Sequence, residues 1–153
     1  MALRNILDSS DKILSKICRP VETFDAHLGT LLDDMAETLT AADGVGLAAP
    51  QVGVLRRIAL VNVEGKLVEL LNPEITKTSG EQREIEGCLS CPGRYGITVR
   101  PMSVRVKAQD RRGKSFEVEG EGLTARAFCH EIDHLNGILF LDHMIEEVDI
   151  KEM

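Results

Sequence analysis

The chain has 153 residues, of which 43% are hydrophobic. This length suits a single domain over residues 1–153, and a domain of this size buries roughly 70% of the surface that its unfolded chain exposes. Its formal net charge of −7 argues against direct nucleic-acid binding. No segment approaches the roughly 20 apolar residues of a membrane span, and residues 1–16 lack the apolar region of a signal peptide, so we expect a cytoplasmic protein without membrane contact.

Two helices are predicted in the N-terminal part of the chain. Residues 11–17 predict a short helix that ends before Pro20. Residues 25–40 predict an amphipathic helix, with Thr23 or Asp25 as its N-cap. The apolar face of this helix is formed by residues spaced at three and four, namely Leu28, Leu31, Leu32, Met35 and Leu39.

The loop that follows, residues 43–53 (DGVGLAAPQVG), is rich in small residues. Gly44 and Gly46 follow a helix rather than a strand and lack the third glycine of a dinucleotide-binding fingerprint. Small side chains let another part of the backbone come close. Gln51 adds an amide donor that could stabilise an oxyanion.

The middle of the chain alternates apolar and polar residues in pairs of segments, which predicts hairpins. The first hairpin joins residues 57–63 to 67–71, and the second joins 103–109 to 114–120. A helix is then predicted over 124–136, with Thr124 as N-cap and Gly137 as the C-terminal stop. We therefore expect an α+β fold, with antiparallel strands packed around the central 124–136 helix and one N-terminal helix.

The predicted central helix contains the pattern H-E-x-x-H at residues 130–134. His130 and His134, four residues apart, share one helical face and can bind one metal ion. Glu131 is placed to act as a general base toward water without being a ligand. Two histidines alone by chance remain the alternative, although the glutamate in register favours a metal site.

The third metal ligand is sought upstream of the helix. Phe140 stands where a metzincin would have its third histidine, and His143 lies three residues too late. Upstream candidates are Cys88, Cys91 and His27, of which the cysteines form a C-x-x-C pair before a Pro-Gly turn. One thiolate and two imidazoles would leave a fourth position open for water.

Three motifs in the chain together resemble those of the peptide deformylases. The family pattern G-x-G-x-A-A-x-Q is matched by residues 44–51, E-G-C-L-S by residues 86–90, and H-E-x-D-H by residues 130–134. The motifs occur in the family's order, and the resemblance spans essentially the whole chain. It implies a metallohydrolase that removes the formyl group from the N-terminal formylmethionine of nascent polypeptides, at the ribosome.

The resemblance also implies the metal ligands and the base. Cys88, His130 and His134 would hold one divalent ion, with Fe(II) expected in the cell and Ni, Co or Zn as possible replacements. Glu131 would take a proton from the metal-bound water and pass it to the leaving amine.

The remaining roles concern the oxyanion and the peptide. The Gln51 side chain and the Leu89 backbone N–H would stabilise the oxyanion, while the substrate would bind as an added strand. Arg126 would wall the methionine pocket with its aliphatic stem while its charged end reaches water. The residues expected to bind the substrate are Val45, Gly46, Gly87, Leu123, Arg126 and Ala127.

Two cysteines depart from the usual family pattern. Cys91 replaces an aliphatic residue and Cys129 precedes the first histidine. We interpret both as small buried hydrophobic residues, and the alternative is that one forms a disulfide with Cys88 under oxidation. Two other functions stay open: a zinc endopeptidase, or a non-catalytic zinc or thiol protein that uses Cys88, Cys91, Cys129 and His130.

Overall fold

The computed structural model describes residues 2–149. Within this range the chain forms two α-helices, α1 (Ala26–Ala41) and α2 (Leu123–Leu135), and three short 3-10 helices, Lys12–Ser15, Ala49–Val52 and Phe140–Asp142. Eight strands complete the fold: β1 (Gly46–Ala48), β2 (Ile58–Val63), β3 (Lys66–Ser79), β4 (Gln82–Gly87), β5 (Tyr95–Arg100), β6 (Ser103–Gln109), β7 (Ser115–Glu121) and β8 (Glu146–Val148).

The strands form two antiparallel sheets, which confirms the α+β prediction. The larger sheet has the order β1-β2-β3-β6-β7, and the smaller has the order β4-β5-β8. Both predicted hairpins are present, β2 with β3 and β6 with β7. Strand β3 continues to Ser79, beyond the predicted end at residue 71, because it also pairs with β6 past register shifts that follow Leu71 and Ile75.

Helix α1 follows the predicted amphipathic pattern. The side chain of Asp25 accepts a hydrogen bond from the Leu28 N–H at 3.0 Å, so Asp25 rather than Thr23 is the N-cap. The apolar face packs into one core cluster with the large sheet, and its fully buried members include Leu32 and Met35. Truncating such a leucine to alanine costs about 2–5 kcal/mol.

Helix α2 is central to the fold. It contacts β1, β2, β6 and β7 of the larger sheet and β5 of the smaller one. Its apolar side, including Phe128 and Leu135, fills the second core cluster. The predicted N-cap at Thr124 is wrong, because the helix starts one residue earlier and Gly122 at φ 59 makes the turn into it. The predicted stop at Gly137 is confirmed, since that residue has φ 75 directly after the C-cap.

The N-terminal segment, residues 2–20, is fastened across the molecule by backbone hydrogen bonds. Its N–H groups donate to distant carbonyls: Leu7 to Gln51 at 2.8 Å, Ser9 to Ser90 at 2.7 Å, Cys18 to Leu135 at 2.9 Å and Arg19 to Leu55 at 3.1 Å. The helix predicted over 11–17 is only one 3-10 turn, Lys12–Ser15. The backbone N–H groups of this segment thus bond to other elements, and they do not form the regular hydrogen bonds of a longer helix.

Among the helices of residues 2–149, none combines the length and the hydrophobicity of a membrane-spanning segment.

Candidate metal centre and catalytic cavity

Three potential metal donors meet between α2 and the end of β4. His130 and His134 lie one turn apart on α2, and Cys88 follows the last residue of β4. One ligand atom from each lies within 4.8 Å of the other two, and Cys88 Sγ is 3.4 Å from His134 Nε2. A thiolate with two imidazoles is a donor set that suits divalent transition metals. These residues therefore fit a single metal ion with a position left for water.

His130 is held in a fixed orientation by Glu86. Its Nδ1 lies 2.7 Å from Glu86 Oε2, which leaves Nε2 for a metal. Metal-binding histidines commonly donate their other ring N–H to a carboxylate in this way. Glu86 in turn accepts hydrogen bonds from Thr98 at 3.0 Å and from Arg100, and Arg100 also reaches Asp133 at 2.7 Å. A buried polar network therefore connects β4, β5 and α2 behind the donors.

The charge on Glu86 follows from these partners. Burial raises the pKa of this carboxyl, but the hydrogen bonds from His130 and Arg100 outweigh burial and lower the pKa to about 2. Glu86 is thus an anion at neutral pH, so the proton between it and His130 resides on Nδ1. His130 thus keeps its Nδ1 side toward Glu86, and its Nε2 is the nitrogen that can bind a metal.

Glu131 lies on the same helix and faces a different environment. It is buried, and its Oε1 has no hydrogen-bond partner among residues 2–149. Burial raises the pKa of this carboxyl to about 7. A carboxyl that titrates near neutrality is suited to accept a proton and to return it.

Gln51 is fixed by the small-residue loop. The Ala48 N–H donates to Gln51 Oε1 at 2.9 Å, which orients the amide NH₂ the other way. That NH₂ donates to Ser90 Oγ at 3.0 Å and lies 3.6 Å from Cys88 Sγ. The loop therefore orients the Gln51 NH₂, a hydrogen-bond donor, toward the proposed metal ligand Cys88, which lies 37 residues away in sequence.

These groups line one cavity of about 390 Å³. Of the residues predicted for the site, His134 alone is not on the cavity wall, since it lies buried beneath it. The predicted residues on the wall are Val45, Gly46, Gln51, Gly87, Cys88, Leu89, Leu123, Arg126, Ala127, His130 and Glu131.

The cavity wall also contains residues that were not predicted for the site: Asp43, Gly44, Ile85, Glu86 and Tyr95. Glu86 had a usable signal, because an acidic residue two places before a candidate thiolate can partner a histidine ligand. Val45 and Leu123 are 41% and 54% exposed, so they lie at the mouth of the cavity. Arg126 is half-buried, and its guanidinium donates to the Ile85 carbonyl at 2.9 Å, so part of its charged end bonds to the protein.

The other donor candidates lie outside this centre. His27 is exposed on α1. Among the described residues, the group able to hold a metal includes neither Cys91 nor Cys129. Both thiols are free and buried, and Cys129 belongs to the core cluster of α2. Residues 2–149 therefore do not form the closed site of Cys88, Cys91, Cys129 and His130 that a non-catalytic zinc or thiol protein would use.

The chain is similar to known proteins over nearly its whole length. The family model described as polypeptide deformylase matches residues 3–149. The chain is 54% identical over 153 residues to the peptide deformylase of Acetivibrio thermocellus, covering 100% of this chain and 90% of that protein. It is 56% identical over 151 residues to that of Lachnoclostridium phytofermentans, covering 97% and 93%.

Solved structures of peptide deformylases superpose closely on the chain. That of Legionella pneumophila has a TM-score of 0.90 at 50% identity, covering 93% of this chain and 86% of that one. That of Synechococcus elongatus, in complex with actinonin, has a TM-score of 0.91 at 36% identity, covering 97% and 82%.

Proposed function

The chain belongs to the polypeptide deformylase family, and we propose that its reaction takes place at Cys88, His130, His134 and Glu131. The activity of this family is the removal of the formyl group from nascent formylated peptides. The observation that supports the assignment is that three metal donors meet beside a cavity whose wall includes a buried carboxylate with one oxygen that has no hydrogen-bond partner among residues 2–149.

Cys88, His130 and His134 would hold one divalent ion. When bound, the ion supplies a Lewis acid that acidifies water and polarises the formyl oxygen. A thiolate donates more electron density than a third imidazole would, so the positioned base carries more of the activation. We expect Fe(II) in the cell, with Ni, Co or Zn able to occupy the same donors, since the donor set itself does not select among them.

Glu131 would manage the protons of the reaction. Its Oε1, which has no hydrogen-bond partner among residues 2–149, accepts a proton from the attacking water as the new C–O bond forms at the formyl carbon. The same carboxyl then delivers that proton to the amide nitrogen as the C–N bond breaks. Formate and a peptide with a free amino terminus result, and Glu131 returns to its starting state.

The Gln51 amide and the Leu89 N–H would stabilise the oxyanion. The Gln51 NH₂ is already turned toward Cys88 by the bond between Ala48 and Gln51 Oε1, so no reorientation is needed during the reaction. Leu89 directly follows Cys88 and lines the same cavity.

The peptide would enter between two free strand edges. Strand β1 ends one sheet, β4 ends the other, and Gly46 and Gly87 of these strands both line the cavity. An extended peptide can pair with such an edge through its backbone. Val45, Leu123 and Ala127 would receive the methionine side chain, and the Arg126 stem, held to the Ile85 carbonyl, would close one wall.

We further infer that residues 1–153 work as a single catalytic domain in the cytoplasm and meet their substrates as chains emerging from the ribosome. The net charge of −7 speaks against direct binding to ribosomal RNA. Cosedimentation of the protein with ribosomes that carry formylated nascent chains, compared with empty ribosomes, tests this setting.

The decisive experiment measures formate release from a formyl-Met peptide by protein purified anaerobically with Fe(II) or Ni(II). We expect activity in the wild type and a loss of about 10²–10⁴-fold in Glu131→Gln, with metal content unchanged. Glu117→Gln, an exposed glutamate on β7, is the matched control and should keep full activity. Cleavage of internal bonds in unformylated peptides, without formate release, would identify an endopeptidase instead.

A further inference from the structure

Cys88 and Cys91 share one tight turn. The Cys91 N–H donates to the Cys88 carbonyl at 2.9 Å, which closes a four-residue turn. The first and last Cα atoms of such a four-residue turn lie less than about 7 Å apart. Disulfides span Cα separations of about 4.4–6.8 Å. The pair therefore has the backbone spacing that a disulfide requires.

The two thiols differ in access. Cys88 is half-buried on the cavity wall, so a small oxidant in the cavity meets it first. Cys91 is 2% exposed and lies directly behind it in the turn. Cys129 is packed in the core cluster of α2 instead, and Cys18 belongs to the same cluster. Of the four cysteines, Cys91 is thus the one placed to react with an oxidised Cys88.

We propose that Cys88 and Cys91 form a reversible disulfide when the protein meets peroxide. The Cys88 sulfur attacks one peroxide oxygen, the O–O bond breaks, and Cys88 becomes a sulfenic acid as water leaves. The Cys91 sulfur then attacks the Cys88 sulfur, the S–O bond breaks, and a second water leaves with the Cys91 proton. The two thiols lose two electrons in total, and the peroxide gains them.

The disulfide would protect the metal centre from permanent damage. A sulfenic acid that meets no thiol is oxidised further to sulfinic and sulfonic acids, which thiol reductants do not reverse. A Cys88 held in a disulfide no longer offers a thiolate, so the metal leaves and can return after reduction. This consequence rests on the proposed role of Cys88 as a ligand, whereas the disulfide itself does not.

The test uses Zn(II)-loaded protein treated with hydrogen peroxide. A chromogenic zinc chelator reports metal release, and mass spectrometry of alkylated digests reports the state of each cysteine. We expect a Cys88–Cys91 disulfide, about 2 Da lighter than the dithiol, with one zinc released for each disulfide. Dithiothreitol should restore the thiols and the capacity to bind zinc.

Two variants isolate the part played by Cys91. Cys91→Val and Cys91→Ser should bind zinc before oxidation, and after peroxide they should carry oxygen adducts on Cys88 that dithiothreitol does not remove. Recovery of zinc binding should fall from nearly complete to nearly none. Cys129→Ser, the control with another buried thiol removed, should recover like the wild type. Two substitutions at residue 91 guard against one of them failing to fold.

Oxygen adducts on Cys88 without a disulfide in the wild type would overturn the proposal, and so would equal recovery in both Cys91 variants. Metal-free protein provides the separate arm, because the thiol pair should form its disulfide there as well. A disulfide formed while zinc stays bound would support the pair and overturn Cys88 as a ligand.

Discussion

The backbone of Gly46 lies directly against the carboxylate of Glu131. A methyl group at Gly46 would lie 2.6 Å from Oε2 and 2.8 Å from Cγ of that side chain. Such contacts are shorter than van der Waals packing allows, and both residues line the cavity. The glycine loop therefore sets the position of the proposed base through plain contact.

Gly46→Ala should lower kcat/KM for formyl-Met peptides by about 10²-fold, because the new methyl group displaces Glu131 by a substantial fraction of an ångström. Metal content should stay at the wild-type level, since the metal donors are not in this contact. The control is Gly29→Ala in α1, where the added methyl group has 3.7 Å to its nearest neighbour. This control should keep full activity, and an equal loss in both variants would contradict the contact argument.

Glu86→Gln should weaken metal affinity about 10–100-fold, because His130 loses the charged partner that fixes its ring. Competition with a metal chelator of known affinity provides the measurement. Glu84→Gln, an exposed change on the same strand, should leave the affinity unchanged. An unaltered affinity in Glu86→Gln would show that the charge of Glu86 is not needed to hold His130 in place.

Cys88→Ala should reduce bound metal from about one ion per chain to a small fraction, because two imidazoles alone bind divalent metals much more weakly. Elemental analysis after anaerobic purification provides the readout. Cys129→Ala is the matched thiol control and should retain its metal. If Cys88→Ala keeps a full complement, Cys88 is not a ligand and the proposed centre is wrong.

Asp34 should make stability depend on pH in the acidic range. The Ala2 N–H and the Arg4 guanidinium both bond to its carboxylate, and they lower its pKa below the usual 3.8. A lowered pKa in the folded state contributes stability above the unfolded value, and this contribution disappears as pH falls through the folded value. Asp34→Asn should therefore be less stable than the wild type near neutral pH.

The difference between wild type and Asp34→Asn should shrink steadily below pH 3.8. Urea unfolding followed by circular dichroism at several pH values measures it. Effects of pH on all other groups are common to both proteins and cancel. A difference that stays constant down to the most acidic value would show that the carboxylate charge plays no part.

The helices and the two long hairpins were predictable because their buried positions are apolar. Helix α1 buries Leu32 and Met35 at the predicted spacing, and β6 buries Val104 and Val106 in alternation. In these elements most buried positions are apolar, although α1 also buries Asp34 and Thr38, so the periodicity of hydrophobic residues largely follows the periodicity of burial. The sequence pattern then contains the information that decides the local structure.

Strands β4 and β5 escaped prediction for the opposite reason. The buried positions of β4 include Gln82 and Glu86, and those of β5 include Thr98 and Arg100. Three of these four side chains form the polar network behind His130. In β5 the apolar residues Tyr95, Ile97 and Val99 are only half-buried, so the alternation of apolar residues does not mark the buried face. These two strands are hard to recognise in the sequence because the polar side chains that support the proposed metal centre occupy their buried positions.

The sequence predicted which residue types of the three motifs carry the chemistry, but it did not predict the distances between the motifs. H-E-x-x-H specifies its own spacing through the helix, whereas the distance between Cys88 and His134 depends on how β4 meets α2. The helix predicted over residues 11–17 was too long, because the structure has only the 3-10 turn Lys12–Ser15 there. Residues 2–20 form hydrogen bonds with distant parts of the chain, and local helix propensity contains no information about such bonds.

The hydrogen bonds of the N-terminal segment have a kinetic consequence. Ser9 pairs with Ser90 and Cys18 pairs with Leu135, so each bond closes a long loop of chain. The entropy of closing such loops opposes early contact, and local hairpins such as β6–β7 form with far less of this cost. The turn that contains Cys88 is thus hydrogen-bonded to the N-terminal segment, whose own regular structure is one short 3-10 turn. We therefore expect the cavity to form late in folding, after both hairpins have assembled.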